Sequence, residues 1–158
     1  MNAMTARALS LAVAVAVWTA ISHLAKLPLQ LWPVIIGLAC FLAAGGGVAG
    51  LTKSAAGAAS GVAWAMLYVT VSGALGRQAI VDALGLGAAT FGMVAQARLP
   101  LLGYTPGVVA GAAVSLGVMG VRAVTLQGGI RVVIALAIGA ALGYGAEYLA
   151  GMMKSRSA

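Results

Sequence analysis

Two proline-marked breaks in this apolar chain carry side chains that exchange hydrogen bonds without bearing a charge. The polar and aromatic residues around these breaks are Gln30, Trp32, Tyr104, Thr105 and Ser115. Amide, indole and hydroxyl groups of this kind can replace the water around urea, another small amide, glycerol or water itself. No charged residue lies within positions 28–50 or 99–121. We therefore expect the breaks to bind a small uncharged solute and not an ion.

The two breaks share a nearly identical motif, which indicates that the chain is built from two related halves. Ala25-Lys26-Leu27-Pro28-Leu29 is matched by Ala97-Arg98-Leu99-Pro100-Leu101, and Pro28 and Pro100 lie 72 residues apart. Each half, about residues 6–76 and 77–152, has room for three membrane spans. Because three is odd, we expect the halves to cross the membrane in opposite orientations, as a 3+3 inverted-topology repeat.

The composition predicts an integral membrane protein. Of 158 residues, 63% are hydrophobic and 7% are charged, and the mean hydropathy is +1.09. A soluble domain carries about 25% charged residues, so this balance excludes one. The lysines and arginines leave six apolar intervals of about 20 residues, each long enough to cross the hydrocarbon as a helix. We predict an all-α membrane protein with six transmembrane helices in a single domain, residues 1–158.

Local signals place the six helices along the chain. We predict Ala6–Leu24, Pro33 to the glycines at 45–50, Ser54–Gly76, Gln78–Gln96, Pro106–Arg122 and Arg131–Met152. Proline is acceptable at the first position of a helix, because the amide that it lacks would be unpaired there. The regular parts of the second and fifth helices have about fifteen residues each and span only about 22 Å, less than the bilayer core.

Two explanations remain open for these short helices. Either the Leu-Pro segments before them dip below the membrane interface, or the bilayer thins around them. If the segments dip, the amino ends of helices two and five meet near the midplane and point N–H donors at a shared gap. The residues expected along such a pathway are Gln30, Trp32, Pro33, Gly37, Tyr104, Thr105, Pro106, Gly107, Gly111 and Ser115. For Trp32 and Tyr104 the alternative is a place in the interfacial aromatic belt.

The ionisable residues inside helices keep a second hypothesis open. His23, one turn before the first break, is expected at a pore mouth or at the level of the headgroups. Asp82 and Glu147 are expected as shallow or paired charges. A proton-coupled transporter needs at least one of these carboxylates deep in the protein and facing a cavity.

The remaining charges and motifs limit the partners. The net charge of +7 is spread as one or two cations per loop, which is typical of headgroup anchors, so we expect membrane lipid as a partner and no nucleic acid. The single cysteine, Cys40, excludes an intramolecular disulfide. Phosphate-loop, paired-histidine and Gly-x-Ser-x-Gly motifs are absent, and we expect neither an enzyme nor a metal or other cofactor. A slight excess of cations on the N-terminal side, with Lys154 and Arg156 in the C-terminal tail, favours cytoplasmic termini, and insertion in both orientations remains an alternative.

The 23 glycines bear on helix packing. Helices associate weakly in lipid unless small residues let their backbones approach closely. Four-residue spacings therefore predict close contacts, within one bundle or in a homo-oligomer, at Gly57/Gly61, Gly107/Gly111 and Gly139/Gly143.

Several segments resemble a known family. They are Trp32-Pro33-Val34-Ile35-Ile36-Gly37 with Phe41-Leu42-Ala43-Ala44-Gly45-Gly46, Ser60-Gly61-Val62-Ala63-Trp64-Ala65, and Ala97-Arg98-Leu99-Pro100-Leu101-Leu102 leading to Pro106-Gly107 and Gly111. Across most of the chain they resemble the bacterial domain-of-unknown-function-1097 family of small inner-membrane proteins, which implies that location and no established activity. The proline-opened short helices are more distantly similar to the pore segments of bacterial urea channels. The asparagine that commonly precedes that proline is Trp32 and Thr105 here.

These patterns together predict a membrane channel that passes urea or a similar amide through a narrow pore. Pore width and a few fixed hydrogen-bonding groups would select the solute. Two alternatives remain: a proton-coupled secondary transporter of a small solute, and a packing or assembly subunit without a pore.

Overall fold

The computed structural model describes residues 3–27, 29–120 and 125–155. These residues form one 3-10 turn, Gln96–Arg98, and six helices: α1 Ala3–Leu24, α2 Leu31–Ala43, α3 Gly47–Ala74, α4 Ala79–Ala95, α5 Thr105–Met119 and α6 Leu126–Ser155. Of these described helices, α1, α3, α4 with the 3-10 turn, and α6 are long and apolar enough to cross a membrane, whereas α2 and α5 have 13 and 15 residues. The protein is a multi-pass all-α membrane protein, and the predicted shortness of its second and fifth helices is confirmed. Pro28 and Arg122 lie outside the described residues.

The start of α3 differs from the prediction. The helix begins at Gly47, seven residues before the predicted Ser54. Its amino end is held by Glu147 of α6, whose Oε2 accepts a hydrogen bond of 2.8 Å from the Gly47 amide. A carboxylate at this position satisfies a free N–H and complements the positive end of the helix dipole. Lys53 lies on the exposed side of α3, so its charge does not end the helix.

The start of α6 also differs from the prediction. The helix begins at Leu126, five residues before Arg131. Thr125 precedes it and caps the first turn, because its Oγ1 accepts a hydrogen bond from the Gly128 amide at 3.1 Å. Arg131 consequently lies in the second turn of α6, where its side chain is exposed.

The most extensive helix contact joins α3 and α5, which run in the same direction. A methyl group added at Gly61 would overlap the carbonyl oxygen of Val108, and one added at Gly111 would overlap that of Ala58. The two backbones therefore touch where they cross. This contact confirms the close helix packing that the glycine spacings predict.

The contact between α2 and α6 is built in the same way, again between helices that run in one direction. A methyl group at Gly37 would overlap the Leu136 carbonyl oxygen, and one at Gly139 would overlap that of Val34. The two crossings match residue by residue at fixed separations. Adding 74 residues takes Gly37 of α2 to Gly111 of α5, and adding 78 residues takes Gly61 of α3 to Gly139 of α6. Each short helix thus packs on a long helix far away in the sequence.

The remaining long helices lie outside these crossings. α1 packs along α6, and α4 packs along α3. The Trp64 ring of α3 lies over Gly92, and the Gln96 Oε1 accepts hydrogen bonds from Ser60 Oγ at 2.8 Å and from Trp64 Nε1 at 3.0 Å. Because Ser60 is half-way along α3, α4 ends beside the middle of that helix.

Replacing Gly61 or Gly139 by alanine should destabilise the bundle, because each added methyl overlaps a backbone carbonyl. We expect each variant to lose about 1–3 kcal/mol in the free energy of unfolding, measured in detergent micelles. Gly87→Ala and Gly145→Ala are matched controls, since a methyl there meets no atom within 4 Å and alanine favours a helix over glycine by about 0.5–1 kcal/mol. Equal stability of the variants at positions 139 and 145 would contradict the crossing.

Replacing Glu147 by alanine should loosen the amino end of α3, because the Gly47 amide loses a charged acceptor. A hydrogen bond to a charged group contributes about 1.5–3 kcal/mol, and Glu147→Gln, which keeps an acceptor oxygen, should retain about half of that contribution. Faster hydrogen exchange confined to the first turn of α3 is the expected result. Unchanged exchange there in Glu147→Ala would show that the carboxylate does not hold this helix end.

Candidate functional site

An open cavity of about 240 Å³ lies at one end of the bundle. We call it the vestibule and define it by its described lining: Leu29, Gln30 and Pro33 at the amino end of α2, Val118 and Met119 at the carboxyl end of α5, and Gly128, Arg131, Val132 and Ala135 in α6. Three helix ends therefore meet around one solvent-accessible space. Pro33 itself is buried in the wall.

Both polar side chains of the described vestibule carry hydrogen-bond donors. The Gln30 Oε1 accepts a hydrogen bond of 2.7 Å from Trp32 Nε1, and the Gln30 Nε2 offers two N–H donors to a ligand. The Arg131 guanidinium has five N–H donors and no acceptor. Neither Asp82 nor Glu147 is among the described residues that line the cavity. The vestibule therefore suits a ligand that presents acceptor oxygens.

The opposite end of the short helices is filled by Tyr104. Its hydroxyl donates a hydrogen bond of 2.9 Å to the Cys40 carbonyl near the carboxyl end of α2. A methyl group at Gly107 would lie 2.6 Å from the ring, and one at Gly57 would lie 3.2 Å from the Tyr104 carbonyl oxygen. We call this region, defined by Tyr104 and its contacts with Cys40, Gly57 and Gly107, the plugged end.

The separations of 74 and 78 residues also relate residues of the vestibule to residues on α3 and α5. The separation of 74 residues connects Pro33 of the vestibule with Gly107. The separation of 78 residues connects the vestibule residues of α6 with residues of α3: Gly128 with Gly50, Arg131 with Lys53, Val132 with Ser54, and Ala135 with Gly57. Gly107 and Gly57 both contact Tyr104. One end of the short helices therefore borders an open cavity, and the other end is occupied by the Tyr104 side chain.

The predicted meeting of the two helix amino ends does not occur. α2 and α5 lie antiparallel, since Pro33 shares the vestibule with Val118 and Met119 at the carboxyl end of α5. The Trp32 ring correspondingly lies on α5 near Gly117, where an added methyl would be 3.1 Å away. The tight turn between α2 and α3 and the parallel packing of α3 and α5 impose this arrangement, which places the two amino ends on opposite sides of the bundle.

The predicted pathway residues consequently separate into three groups. Gln30 and Pro33 line the vestibule with Trp32 beside it, whereas the plugged end holds Tyr104, Thr105, Pro106 and Gly107. Gly37 and Gly111 lie between these ends, in the glycine crossings. Ser115 is fully buried and its Oγ donates within α5 to the Gly111 carbonyl at 2.8 Å. His23 is exposed at the end of α1 and is not among the described residues of the vestibule.

Sequence reasoning missed two polar residues that the structure brings into play. The predicted sixth helix begins at Arg131, although Thr125 immediately before the apolar Leu126 is an N-cap signal that places Arg131 further inside α6. The prediction gives Gln96 only a place at the end of the fourth helix, yet it joins Ser60 and Trp64 at mid-length of α3. An amide followed by a break in an apolar span was the available signal.

Replacing Tyr104 by phenylalanine should weaken the plug without emptying it, because only the hydrogen bond to the Cys40 carbonyl is lost. Such a bond contributes about 1 kcal/mol, which corresponds to about a fivefold change in the balance between plugged and open ends. We expect a cysteine at position 54 to react about fivefold faster with N-ethylmaleimide in Tyr104→Phe. An unchanged rate would show that the Tyr104 hydroxyl does not hold this end closed.

Comparisons with curated proteins, solved structures and protein families give one match. No curated protein and no solved structure matches the chain, so the likeness to urea channels has no support from a named relative. The family described as protein of unknown function (DUF1097) matches residues 8–151. Because this match covers nearly the whole chain, the protein belongs to the DUF1097 family, as the sequence resemblance predicted.

Proposed function

We propose that this protein carries a small polar solute across the membrane by opening alternately at the vestibule and at the plugged end. One observation carries the proposal: corresponding positions of the chain line an open cavity at one end and contact the Tyr104 plug at the other. A carrier in one of its two end states has this asymmetry. The vestibule then represents the accessible side, and Tyr104 closes the other.

The two related halves of the chain provide the physical basis for alternation. We propose that residues 6–76 and 77–152 form an inverted repeat, and the matching glycine crossings support it. Halves of nearly equal structure have nearly equal energies when they exchange conformations. Exchange would open the plugged end and close the vestibule with little net cost in free energy.

The glycine crossings favour a carrier over the continuous channel predicted from sequence. Gly37 and Gly111 lie directly against the backbone of Leu136 and Ala58, so backbone atoms occupy the space that an open pore needs there. A solute passes only when helices move apart. Urea and simple amides stay in the set of solutes to be tested.

A proton-coupled transporter is less well supported than a carrier without proton coupling. Glu147 is bound to the Gly47 amide at 2.8 Å, and this contact gives its carboxylate a structural task. The Asp82 Oδ1 is buried without a hydrogen-bond partner among the described residues, but Asp82 is not among those that line the vestibule. We therefore propose a carrier whose solute site contains no carboxylate from this chain.

The membrane orientation decides which compartment the vestibule faces. The family resemblance indicates the bacterial inner membrane, and we keep the prediction of cytoplasmic termini. The contact of Glu147 with Gly47 puts the carboxyl-terminal part of α6 on the side of the plugged end. The vestibule then opens to the periplasm. Homo-oligomer formation also stays a prediction.

Paired cysteine variants test alternation. Val132→Cys in the vestibule and Ser54→Cys at the plugged end occupy corresponding buried positions, and each is introduced into a Cys40→Ala background. We expect N-ethylmaleimide to label position 132 at least tenfold faster than position 54 in proteoliposomes. Addition of a transported solute, chosen by uptake from urea, acetamide and acetate, should raise the rate at position 54 and lower it at position 132.

Three results separate the proposal from its alternatives. Opposite changes at the two positions support a carrier. Fast labelling of both positions without solute indicates a channel. If position 54 stays unreactive and none of the solutes is taken up, the protein is a packing or assembly subunit and the proposal is wrong.

A further inference from the structure

The vestibule differs in charge from what the two breaks predict. Residues 28–50 and 99–121 contain no charge, but the fold adds Arg131 from α6 to the wall beside Gln30. Arginine stays charged at all physiological pH values and its planar fork matches the two oxygens of a carboxylate. The formal charge on the described wall is therefore positive, and both of its polar side chains carry N–H donors.

The apolar part of the wall limits the rest of the ligand. Val118, Met119 and Val132 contribute hydrocarbon side chains to the lining. The cavity volume of about 240 Å³ equals that of about eight water molecules at about 30 Å³ each. A carboxylate with one to three further carbons fits this space together with some of its water.

The protein itself shows how a carboxylate occupies the corresponding place at the plugged end. There Glu147 lies on the amino end of α3 and accepts the Gly47 hydrogen bond. The position that corresponds to Gly47 at the separation of 78 residues is Thr125, immediately before α6. The amino end of α6 lines the vestibule through Gly128 and Arg131, and Glu147 is far from it. An external carboxylate would supply the charge that the chain supplies at the other end.

We infer that the vestibule binds a small monocarboxylate, whose oxygens accept hydrogen bonds from Arg131 and from the Gln30 Nε2 while its alkyl end contacts Val118, Met119 and Val132. The inference rests on the proposed function, because it names the chemical class of the carried solute. It differs from the uncharged solute expected from the breaks.

Protection of a vestibule cysteine tests this inference directly. The full chain carrying Val132→Cys and Cys40→Ala is labelled with N-ethylmaleimide, an uncharged reagent, in the presence of propionate or of propionamide. The two ligands have nearly the same shape and differ in charge. We expect propionate to slow labelling at least tenfold at saturation, and propionamide to need at least a tenfold higher concentration for the same effect.

Variants of Arg131 identify the group responsible. Arg131→Gln should remove protection by propionate and leave the weak effect of propionamide unchanged. Arg131→Lys, which keeps the charge, should retain most of the protection and guards against a loss of folding. Arg98→Gln is the matched control, because Arg98 is exposed and is not among the described residues of the vestibule. It should leave protection unchanged.

The outcomes separate this inference from the proposed transport. Equal protection by propionamide and propionate, or full protection in Arg131→Gln, would overturn the carboxylate site even if position 54 still shows alternating access. Protection by propionate that depends on Arg131 supports the site. If that protection is seen while position 54 never becomes reactive, the site stands and the transport proposal falls.

Discussion

Direct backbone contact between helices is the constraint on which this structure depends. In lipid there is little hydrophobic drive to bring helices together, so close approach at small residues provides the attraction. Gly61 and Gly111 join α3 to α5, and Gly37 and Gly139 join α2 to α6. These two crossings hold each short helix against a long helix from the other half of the chain. At both crossings, backbone atoms of the two helices are in direct contact.

The two ends of the bundle have complementary charges, which the fold assigns from distant parts of the sequence. At the plugged end a carboxylate of the chain, Glu147, satisfies the amino end of α3. At the vestibule the amino ends of α2 and α6 and the carboxyl end of α5 meet beside Arg131, without Asp82 or Glu147 among the described lining. Helix amino ends favour negative charge, and at the vestibule the described charge of the chain is the opposite one, that of Arg131.

Local signals in the sequence predict much of the fold and little of the site. Pro33 and Pro106 mark the starts of the short helices to within two residues, and the spacing of Gly57 and Gly61 marks a contact face. The first residue of α3 could not be predicted, because its cap comes from Glu147, 100 residues away. The antiparallel placement of α2 and α5 likewise depends on crossings between distant helices. A search for charges near the breaks alone could not find Arg131, for the same reason.

Alternate opening of two equivalent ends is the central claim, and a pair of distances tests it most directly. Spin labels at positions 29 and 118 span the vestibule, and labels at the corresponding positions 103 and 44 span the plugged end. Pulsed electron paramagnetic resonance in lipid nanodiscs should show that adding a carried solute shortens the first distance in part of the population and lengthens the second in an equal part. Two distances that stay single and unchanged, or that lengthen together, would contradict the account.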